Sequence, residues 1–223
     1  GPPRDGKKGG GGGGKDRKSG PPPERGEPRL GGGGDGAVTT QTYEPKRTGN
    51  FVLKSSAVAT GGMLPVEFTG DGASISPPLE WSGAPAGTKS FAVIMHHYDP
   101  EGKTKWYWTL YNIPADVSGL PKDVHGVGTL GNNSVTRRAG YAPPHSKGPG
   151  EKTYILTAYA LSAPLQIAAK PAEVNRDVLL AAMKDVILDS AELKVVYTRP
   201  AGASEGAGRG DAKDGKAKRK ATT

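Results

Sequence analysis

The sequence predicts a mainly antiparallel β-sandwich with a C-terminal helix packed on it. Three observations indicate this fold class. Six short segments between residues 49 and 199 are rich in β-branched and aromatic residues and are bounded by Gly, Pro, Asn or Asp, as strands usually are. One amphipathic segment follows near the end of this region. Both chain ends have a low-complexity composition that is typical of unstructured tails. Two sheets packed face to face account for such a pattern.

The strand predictions come first. Two of the six segments, Phe91–Met95 within the third and Tyr154–Leu161 within the fifth, are apolar at both alternating sets of positions. Side chains alternate between the faces of a strand, so this pattern predicts central strands covered on both faces. The predicted strands are Phe51–Val58, Leu64–Thr69, Ser90–Asp99, Lys105–Ile113, Thr153–Leu161 and Glu192–Arg199.

One helix is predicted over Asn175–Asp189. Asn175 is a favourable N-cap residue, and Asp177 places a negative charge in the first turn, where it complements the helix dipole. An apolar stripe follows at helical spacing, formed by Leu179, Ala182, Met183 and Val186.

The chain ends are predicted to be disordered, residues 1–47 as a Gly/Pro/Lys-rich tail and residues 200–223 as a basic tail. Many of the 35 glycines and 20 prolines lie there, and such segments bury too little apolar surface to offset the entropy of ordering. Most of the net charge of +8 also comes from these tails. Residues 48–199 are therefore predicted to form the single folded domain. Because most of the positive charge lies in the tails, it does not indicate a specific nucleic-acid partner.

Several function classes are excluded or lack support. The chain has no cysteine, which excludes disulfide scaffolds and cysteine nucleophiles. No apolar run approaches the roughly 20 residues that span a bilayer. No hydrolase, metalloprotease, phosphate-loop or dinucleotide motif is present, so we predict no catalytic residue, metal site or cofactor. Asp71, in "TGDGAS", is interpreted as a turn residue.

The stretch "KWYWTLYNI" concentrates aromatic residues on one strand. Strict alternation predicts that Trp106 and Trp108 share one face, and that Tyr107 points the opposite way with its hydroxyl available. Alternation likewise separates His96 from His97 but places His97 and Asp99 on one face.

Three separated blocks resemble a known family. "SPPLEWSGAPAGTKSFAVIM", "KWYWTLYNIPAD" and "GYAPPHSKGPGEKTYILTAYAL" are similar to the phosphatidylethanolamine-binding protein family, also called Raf kinase inhibitor-like proteins, in its bacterial branch. The resemblance covers about residues 50–199. It implies two packed antiparallel sheets, C-terminal helices, and a small pocket at one end that can receive a phosphate headgroup.

The implied pocket departs from the family pattern at three points. The family has an Asp-Pro-Asp motif near the end of the third predicted strand. One of its two acids corresponds to Asp99, whereas the other is replaced by His97, or by His96. The family's His-Trp pair becomes Tyr107-Trp108, and its His-Arg-Tyr becomes Lys152-Thr153-Tyr154. The proline wall is retained as Pro143-Pro144, with His145 following.

We therefore predict a non-enzymatic module whose end pocket binds a small anionic ligand, phosphate or a phospho-headgroup, since the substitutions supply cations and hydrogen-bond donors. The predicted ligand-binding residues are His97, Asp99, Tyr107, Pro144, His145, Lys152 and Tyr154.

Three alternatives stay open at this point. A carbohydrate-binding sandwich would stack sugars on Tyr107, Tyr111 and Tyr141. A pocket that has lost its ligand would leave a protein-interaction module. A hydrolase would use the pair of His97 and Asp99 with a further nucleophile or metal. The long Gly/Pro/Lys tails favour a bacterial extracytoplasmic location over a cytoplasmic one.

Overall fold

The computed structural model of this chain describes residues 45–99, 101–145 and 148–200. The described residues form one α-helix, α1 (Arg176–Met183), and two short 3-10 helices, Val66–Phe68 and Pro171–Glu173. They also form eight strands: β1 (Val52–Lys54), β2 (Leu79–Ser82), β3 (Ser90–Tyr98), β4 (Thr104–Pro114), β5 (Gly119–Leu120), β6 (Thr129–Leu130), β7 (Lys152–Leu161) and β8 (Ile187–Tyr197).

The strands form two antiparallel sheets. The smaller sheet has the order β1-β2-β5, and the larger one has the order β6-β4-β3-β7-β8. Every pair of neighbouring strands in these sheets is antiparallel. The predicted fold class, a mainly β structure with two packed antiparallel sheets and a C-terminal helix, is confirmed.

The larger sheet is covered on both faces, which explains the apolar character of its central strands. One face packs against the smaller sheet and forms the sandwich core, to which β3 contributes Val93 and Met95. The other face packs against α1, and there β3 contributes Ala92 and Ile94. Alternate residues of β3 thus lie in different cores, as predicted for Phe91–Met95.

The predicted strand over Leu64–Thr69 is wrong, because no residue of this range lies in a strand. Leu64 does pair with the edge of β8, through a hydrogen bond from its backbone N–H to the Val196 carbonyl at 2.8 Å. Pro65 follows, has no N–H to continue the pairing, and begins the 3-10 helix Val66–Phe68.

The predicted helix over Asn175–Asp189 begins where expected but is too long. The Asn175 side chain accepts a hydrogen bond from the Val178 N–H at 2.8 Å and caps α1. The helix ends at Met183, and Ile187 already pairs with Leu161 of β7. Tertiary pairing with β7 therefore overrides the continuing helical pattern in this segment.

Two register shifts in β4 overturn the predicted alternation of its aromatic residues. Met95 pairs with Trp108, yet the next residue of β3, His96, pairs with Trp106, so Tyr107 is an extra residue on β4. A second shift follows between Phe91 and Val93. Because a bulge places an unpaired residue in the strand, Tyr107 and Trp108 both lie in the sandwich core rather than on opposite faces.

Lys46 and Arg47, the last two residues of the predicted N-terminal tail, contact β8. Arg47 forms an ion pair with Glu192, and the Ser190 hydroxyl donates to the Lys46 carbonyl at 2.6 Å. Thr48 continues this contact, since its N–H and hydroxyl donate to the buried Asp189 carboxylate at 2.9 and 2.5 Å. The rest of both predicted tails, 1–44 and 201–223, lies outside the described residues.

Candidate functional site

A cleft opens at the end of the larger sheet, between the tips of β3 and β7. Backbone pairing between these strands ends at His96 with Ile155. The cleft, which we call the β3–β7 cleft, has a volume of about 290 Å³. It is lined by His97, Tyr98, Asp99, Glu151, Lys152, Thr153 and Ile155.

His97 is held in one orientation by the strand across the cleft. Its Nδ1 lies 2.8 Å from the carbonyl oxygen of Thr153. A carbonyl can only accept a hydrogen bond, so Nδ1 carries the proton. The Nε2 atom is therefore the nitrogen that can meet a ligand, as an acceptor when the ring is neutral and as a donor when it is protonated.

The cleft carries charges of both signs. Asp99 and Glu151 contribute carboxylates, and Lys152 contributes an ammonium group. The Lys152 Nζ donates to the Pro149 carbonyl at 3.2 Å, which uses one of its three protons and holds the ammonium group beside the cleft.

Asp99 also shapes the turn after β3. Its Oδ1 accepts hydrogen bonds from the N–H groups of Glu101 at 3.0 Å and Lys103 at 2.8 Å. Within the described residues, no hydrogen bond joins Asp99 to His97, so the carboxylate does not orient the imidazole. The two side chains line one cleft as independent polar groups.

Tyr107 and Tyr154 lie beneath the cleft as part of the sandwich core, and they are 6% and 0% exposed. The Tyr154 ring contacts both His97 and Tyr107, with centroid distances of 5.2 and 5.3 Å. Burial raises the pKa of Tyr107 to about 12. The bulge in β4 turns the Tyr107 side chain into the same core as Trp108, so the prediction that these two residues point to opposite faces is wrong.

The Tyr154 hydroxyl is a buried polar group that lacks a hydrogen-bond partner among the described residues. Burial is the main cause that raises its pKa, and proximity to the Tyr107 hydroxyl adds to the effect. Proximity alone is not a hydrogen bond, which also requires favourable angles. By that geometric requirement the Tyr154 oxygen has no hydrogen-bond partner among the described residues.

Pro144 and His145 lie in a loop that packs against residues 70 and 71. The Gly70 N–H donates to the Pro144 carbonyl at 2.9 Å. A Cβ atom on Gly70 would lie 2.6 Å from the Cβ and Cγ of His145, so only glycine permits this approach. His145 Nε2 lies 3.3 Å from Asp71 Oδ1.

Asp71 is the centre of a group that we call the Asp71 cluster, formed by Asp71, His145, Tyr197 and Arg199. The Tyr197 hydroxyl donates to Asp71 Oδ2 at 2.5 Å, and the Arg199 Nη2 donates to Oδ1 at 3.1 Å. Burial alone would raise the pKa of the Asp71 carboxyl. The hydrogen bonds from Tyr197 and Arg199, with the charges of Arg199 and His145, outweigh burial and hold that pKa below its ordinary value.

Local sequence pattern indicates the turn at Asp71 correctly but gives no signal for this cluster. Tyr197 and Arg199 are 126 and 128 residues from Asp71 in the chain. A local motif cannot contain residues that lie so far apart in the chain. A sequence signal for the cluster would have to relate pairs of distant positions to each other.

The seven predicted site residues thus separate into three groups. His97, Asp99 and Lys152 line the β3–β7 cleft. Tyr107 and Tyr154 are core residues that support His97 from below. Pro144 and His145 belong to the loop around the Asp71 cluster.

The adjacent His96 lies on the opposite face, toward α1, and its ring meets Tyr98 edge-on at 5.0 Å. Burial, with smaller contributions from Arg176 and His97, lowers the pKa of His96 to about 3. Its Nδ1 has no partner among the described residues. His96 is therefore neutral at physiological pH and contributes no charge to the cleft.

Two further observations concern other kinds of site. Among the described residues, no three His, Asp or Glu side chains are grouped so that they could hold a metal ion. Over the same part of the chain, no helix has the length and apolar character needed to cross a membrane.

The carbohydrate-binding alternative required exposed aromatic rings on a common surface. Tyr107 and Tyr111 are only 6% and 5% exposed. Tyr141 is half-buried, lies edge-on to Trp108, and donates its hydroxyl to the Phe68 carbonyl at 2.6 Å. These three rings therefore provide no stacking platform.

Comparisons with known proteins agree with the fold. The family described as phosphatidylethanolamine-binding protein matches residues 54–198. A UPF0098 protein from Methanothermobacter thermautotrophicus is 36% identical over 152 residues, covering 66% of this chain and 98% of that protein. A candidate lipoprotein, LppC from Mycobacterium tuberculosis, is 32% identical over 152 residues, which cover 61% of this chain and 74% of LppC.

A solved structure is similar as well. The crystal structure of CT736, a phosphatidylethanolamine-binding protein homologue from Chlamydia trachomatis, superimposes with a TM-score of 0.63 at 29% identity. The match covers 69% of this chain and all of that one. Fold, family match and relatives lead to one conclusion: this chain belongs to the phosphatidylethanolamine-binding protein family and resembles its bacterial members.

Proposed function

We propose that this chain is a non-catalytic binding module that accepts a small phospho-headgroup in the β3–β7 cleft. The observation that carries the proposal is the arrangement of charge at the strand tips. One ammonium group, two carboxylates and the free nitrogen of a fixed imidazole line a single cleft of about 290 Å³. That volume is near the lower end of the range for small-molecule sites.

The phosphate part of the ligand is assigned to Lys152 and His97. An ammonium group and a protonated imidazole both form charge-assisted hydrogen bonds with phosphate oxygens. The two residues lie at the facing ends of β7 and β3, so a phosphate between them would contact both.

The presence of Asp99 and Glu151 favours a zwitterionic headgroup over inorganic phosphate. Two carboxylates would repel a bare anion but attract an ammonium group at its other end. The exposed ring of Tyr98 stands on the same cleft and can add a cation–π contact. Phosphoethanolamine carries both charges within a molecule of suitable size, and it is the probe that we choose.

Titration calorimetry on the full chain tests the proposal. We expect phosphoethanolamine to bind more tightly than either inorganic phosphate or ethanolamine alone. Lys152→Ala should weaken that binding about tenfold, since a charge-assisted hydrogen bond contributes about 1.5 kcal/mol or more. Lys89→Ala, at the opposite end of β3, removes an equal charge as the matched control. An absence of heat with all three probes at millimolar concentration would contradict the proposal.

A binding role accounts better for the polar groups than hydrolysis does. A His–Asp pair acts as a general base when the carboxylate orients the imidazole. Here the Thr153 carbonyl orients His97, and the Asp99 carboxylate accepts hydrogen bonds from the turn after β3.

We propose an extracytoplasmic location, which the similarity to a candidate lipoprotein supports. Fractionation of cells that express the natural gene would test it.

A further inference from the structure

A rigid loop lies beside the edge of β4, over residues 133–140, and we call it the Asn133 loop. The Asn133 side chain organises it from a buried position, with 2% exposure. Its Oδ1 accepts hydrogen bonds from the N–H groups of Val135 at 3.0 Å and Thr136 at 2.7 Å. Its Nδ2 donates to the carbonyls of Arg138 at 3.2 Å and Gly140 at 3.1 Å. One amide therefore ties together both ends of the loop.

The loop is also attached to the sheet. Ser134 donates its N–H to the Trp106 carbonyl at 2.8 Å, and its Oγ accepts the Trp106 N–H at 2.9 Å. Arg137 has a φ of 59°, a left-handed conformation that costs a non-glycine residue about 1 kcal/mol or more. The Asn133 hydrogen bonds and the attachment to β4 maintain this unfavourable conformation.

Residues 135–139 are all exposed, and three of them carry a large apolar or a charged side chain. Val135 is 51% exposed, and the side chains of Arg137 and Arg138 are exposed as well. Neither arginine side chain forms a hydrogen bond or ion pair with any residue in the described part of the chain. The tip of the loop therefore combines an apolar side chain with two guanidinium groups that the fold does not use.

Acidic groups are scarce around the loop. Residues 124–150 contain no Asp or Glu. The segment packed at the base of the loop, through the Asn132 N–H and the Val174 carbonyl, carries Glu173 together with Lys170 and so adds no net charge. The formal charge of residues 124–150 together with that basal segment is therefore positive.

We propose that the Asn133 loop docks this protein on an anionic phospholipid surface. Arg137 and Arg138 would bind lipid phosphates, because guanidinium groups match phosphate oxygens in bidentate geometry. Val135 would enter the interface between headgroups, where an apolar side chain leaves water. The inference goes beyond the proposed function, since it concerns another surface and does not require a ligand in the cleft.

A membrane surface suits this loop better than an acidic protein partner. The loop offers one large exposed apolar side chain, Val135, whereas a protein interface usually buries about 800 Å² on each partner, including a packed apolar centre. Preorganisation matters for either partner, because a fixed loop has little conformational entropy left to lose on binding.

Sedimentation of the full chain with vesicles tests the docking proposal. Vesicles of phosphatidylcholine alone are compared with vesicles that also contain phosphatidylglycerol. The test variant is Arg137→Asn/Arg138→Gln, in which Asn tolerates the left-handed backbone of residue 137. The matched control is Lys54→Gln/Lys89→Gln, which removes the same charge elsewhere on the domain and keeps both tails.

We expect the arginine variant to bind anionic vesicles about 30-fold more weakly, because each cation at an anionic surface contributes about a fivefold factor. The lysine control should change binding much less. If both double variants lose the same amount, or if the chain does not bind anionic vesicles at low salt, the proposal is overturned. Arginine-dependent binding to polyglutamate without binding to vesicles would instead assign the loop to an acidic polypeptide.

A fluorescence variant gives a readout that does not depend on charge. Val135→Trp places an exposed indole at the tip, whereas the three native tryptophans are at most 5% exposed. Its emission should shift to shorter wavelength with anionic vesicles and stay unchanged with phosphatidylcholine alone. An unchanged emission with bound vesicles would mean that another part of the chain makes the contact.

Discussion

The β3–β7 cleft and the Asp71 cluster both gather charged side chains from distant parts of the chain, yet they differ in how those charges are satisfied. In the Asp71 cluster, a carboxylate that is 9% exposed meets a guanidinium group, a tyrosine hydroxyl and an imidazole at hydrogen-bonding or ion-pair distances. In the cleft, the Lys152 ammonium group contacts a backbone carbonyl, and the Asp99 carboxylate contacts backbone N–H groups.

This difference distinguishes charged groups that stabilise the fold from charged groups that remain able to bind a ligand. A charged group that is buried and fully paired contributes to the folded state, and removing one partner leaves the others uncompensated. A charged group in an open cleft can be removed with little effect on folding, and its hydrogen-bonding capacity remains for a ligand. His145, which family resemblance assigned to the site, contacts Asp71 and does not line the β3–β7 cleft.

The largest expected effect comes from breaking the Asp71 cluster. Asp71→Ala should lower the free energy of unfolding by about 3 kcal/mol, since Arg199 and Tyr197 would lose their partner in a nearly buried position. Denaturant unfolding at neutral pH measures this change. Lys152→Ala should stay within about 0.5 kcal/mol of the wild type, since it lies in the open cleft. Equal costs for the two variants would remove the distinction between the two regions.

The same cluster has a defined dependence on pH. Because the folded state lowers the pKa of Asp71, its stabilising contribution is present above the ordinary carboxyl pKa. That contribution is lost as the pH falls through the lowered pKa of the folded state. In Asp71→Ala, the part of the acid-induced loss that is due to this carboxyl should be absent.

An intermediate effect is expected at His96, where a buried imidazole adjoins one that faces the cleft. The unfolded chain takes up a proton on His96 near pH 6.5, whereas the folded protein resists protonation down to about pH 3. Stability should therefore fall as the pH drops below about 6.5, by about 1.4 kcal/mol per unit, or about 2 kcal/mol at pH 5.

His96→Phe keeps a ring in this position but cannot titrate, so it isolates that contribution. The difference in unfolding free energy between pH 7 and pH 5 should be about 2 kcal/mol smaller in the variant than in the wild type. An identical pH dependence in the two proteins would show that His96 is not buried as a neutral group.

The smallest effect concerns two buried tyrosines that differ in one hydrogen bond. Tyr154→Phe removes a hydroxyl that has no partner among the described residues, so stability should be unchanged or rise by up to about 1 kcal/mol. Tyr141→Phe removes the bond to the Phe68 carbonyl and should cost about 1 kcal/mol. In thermal melts, the midpoint of Tyr154→Phe should equal or exceed that of the wild type, and the midpoint of Tyr141→Phe should be lower. A loss of stability in Tyr154→Phe would indicate that a bound water or ligand satisfies this hydroxyl in solution.

Much of the fold followed from local sequence pattern. β3 and β7 were recognisable because continuous apolar runs are required of strands that are covered on both faces, as these are. The start of α1 was recognisable because Asn175 carries a side chain that satisfies helix N–H groups. The family was recognisable because three separated blocks agree in order and spacing, and the family match to residues 54–198 confirms it.

Other features depended on contacts that no local pattern contains. The inward position of Tyr107 comes from a bulge, which arises from the register between β3 and β4 and reverses the alternation expected of a regular strand. The end of α1 was decided by the pairing of Ile187 with Leu161.

The sequence by itself determined the central strands β3 and β7, where the helix begins and which family the chain joins, because backbone preference and apolar periodicity act over a few neighbouring residues. Only the tertiary structure decided that His97 and Lys152 share a cleft while His145 pairs with Asp71. Those relations depend on strand register and on segments that meet across more than fifty residues of chain. The sequence gives each side chain its charge and chemistry, but the fold decides which groups lie next to it and pair with it.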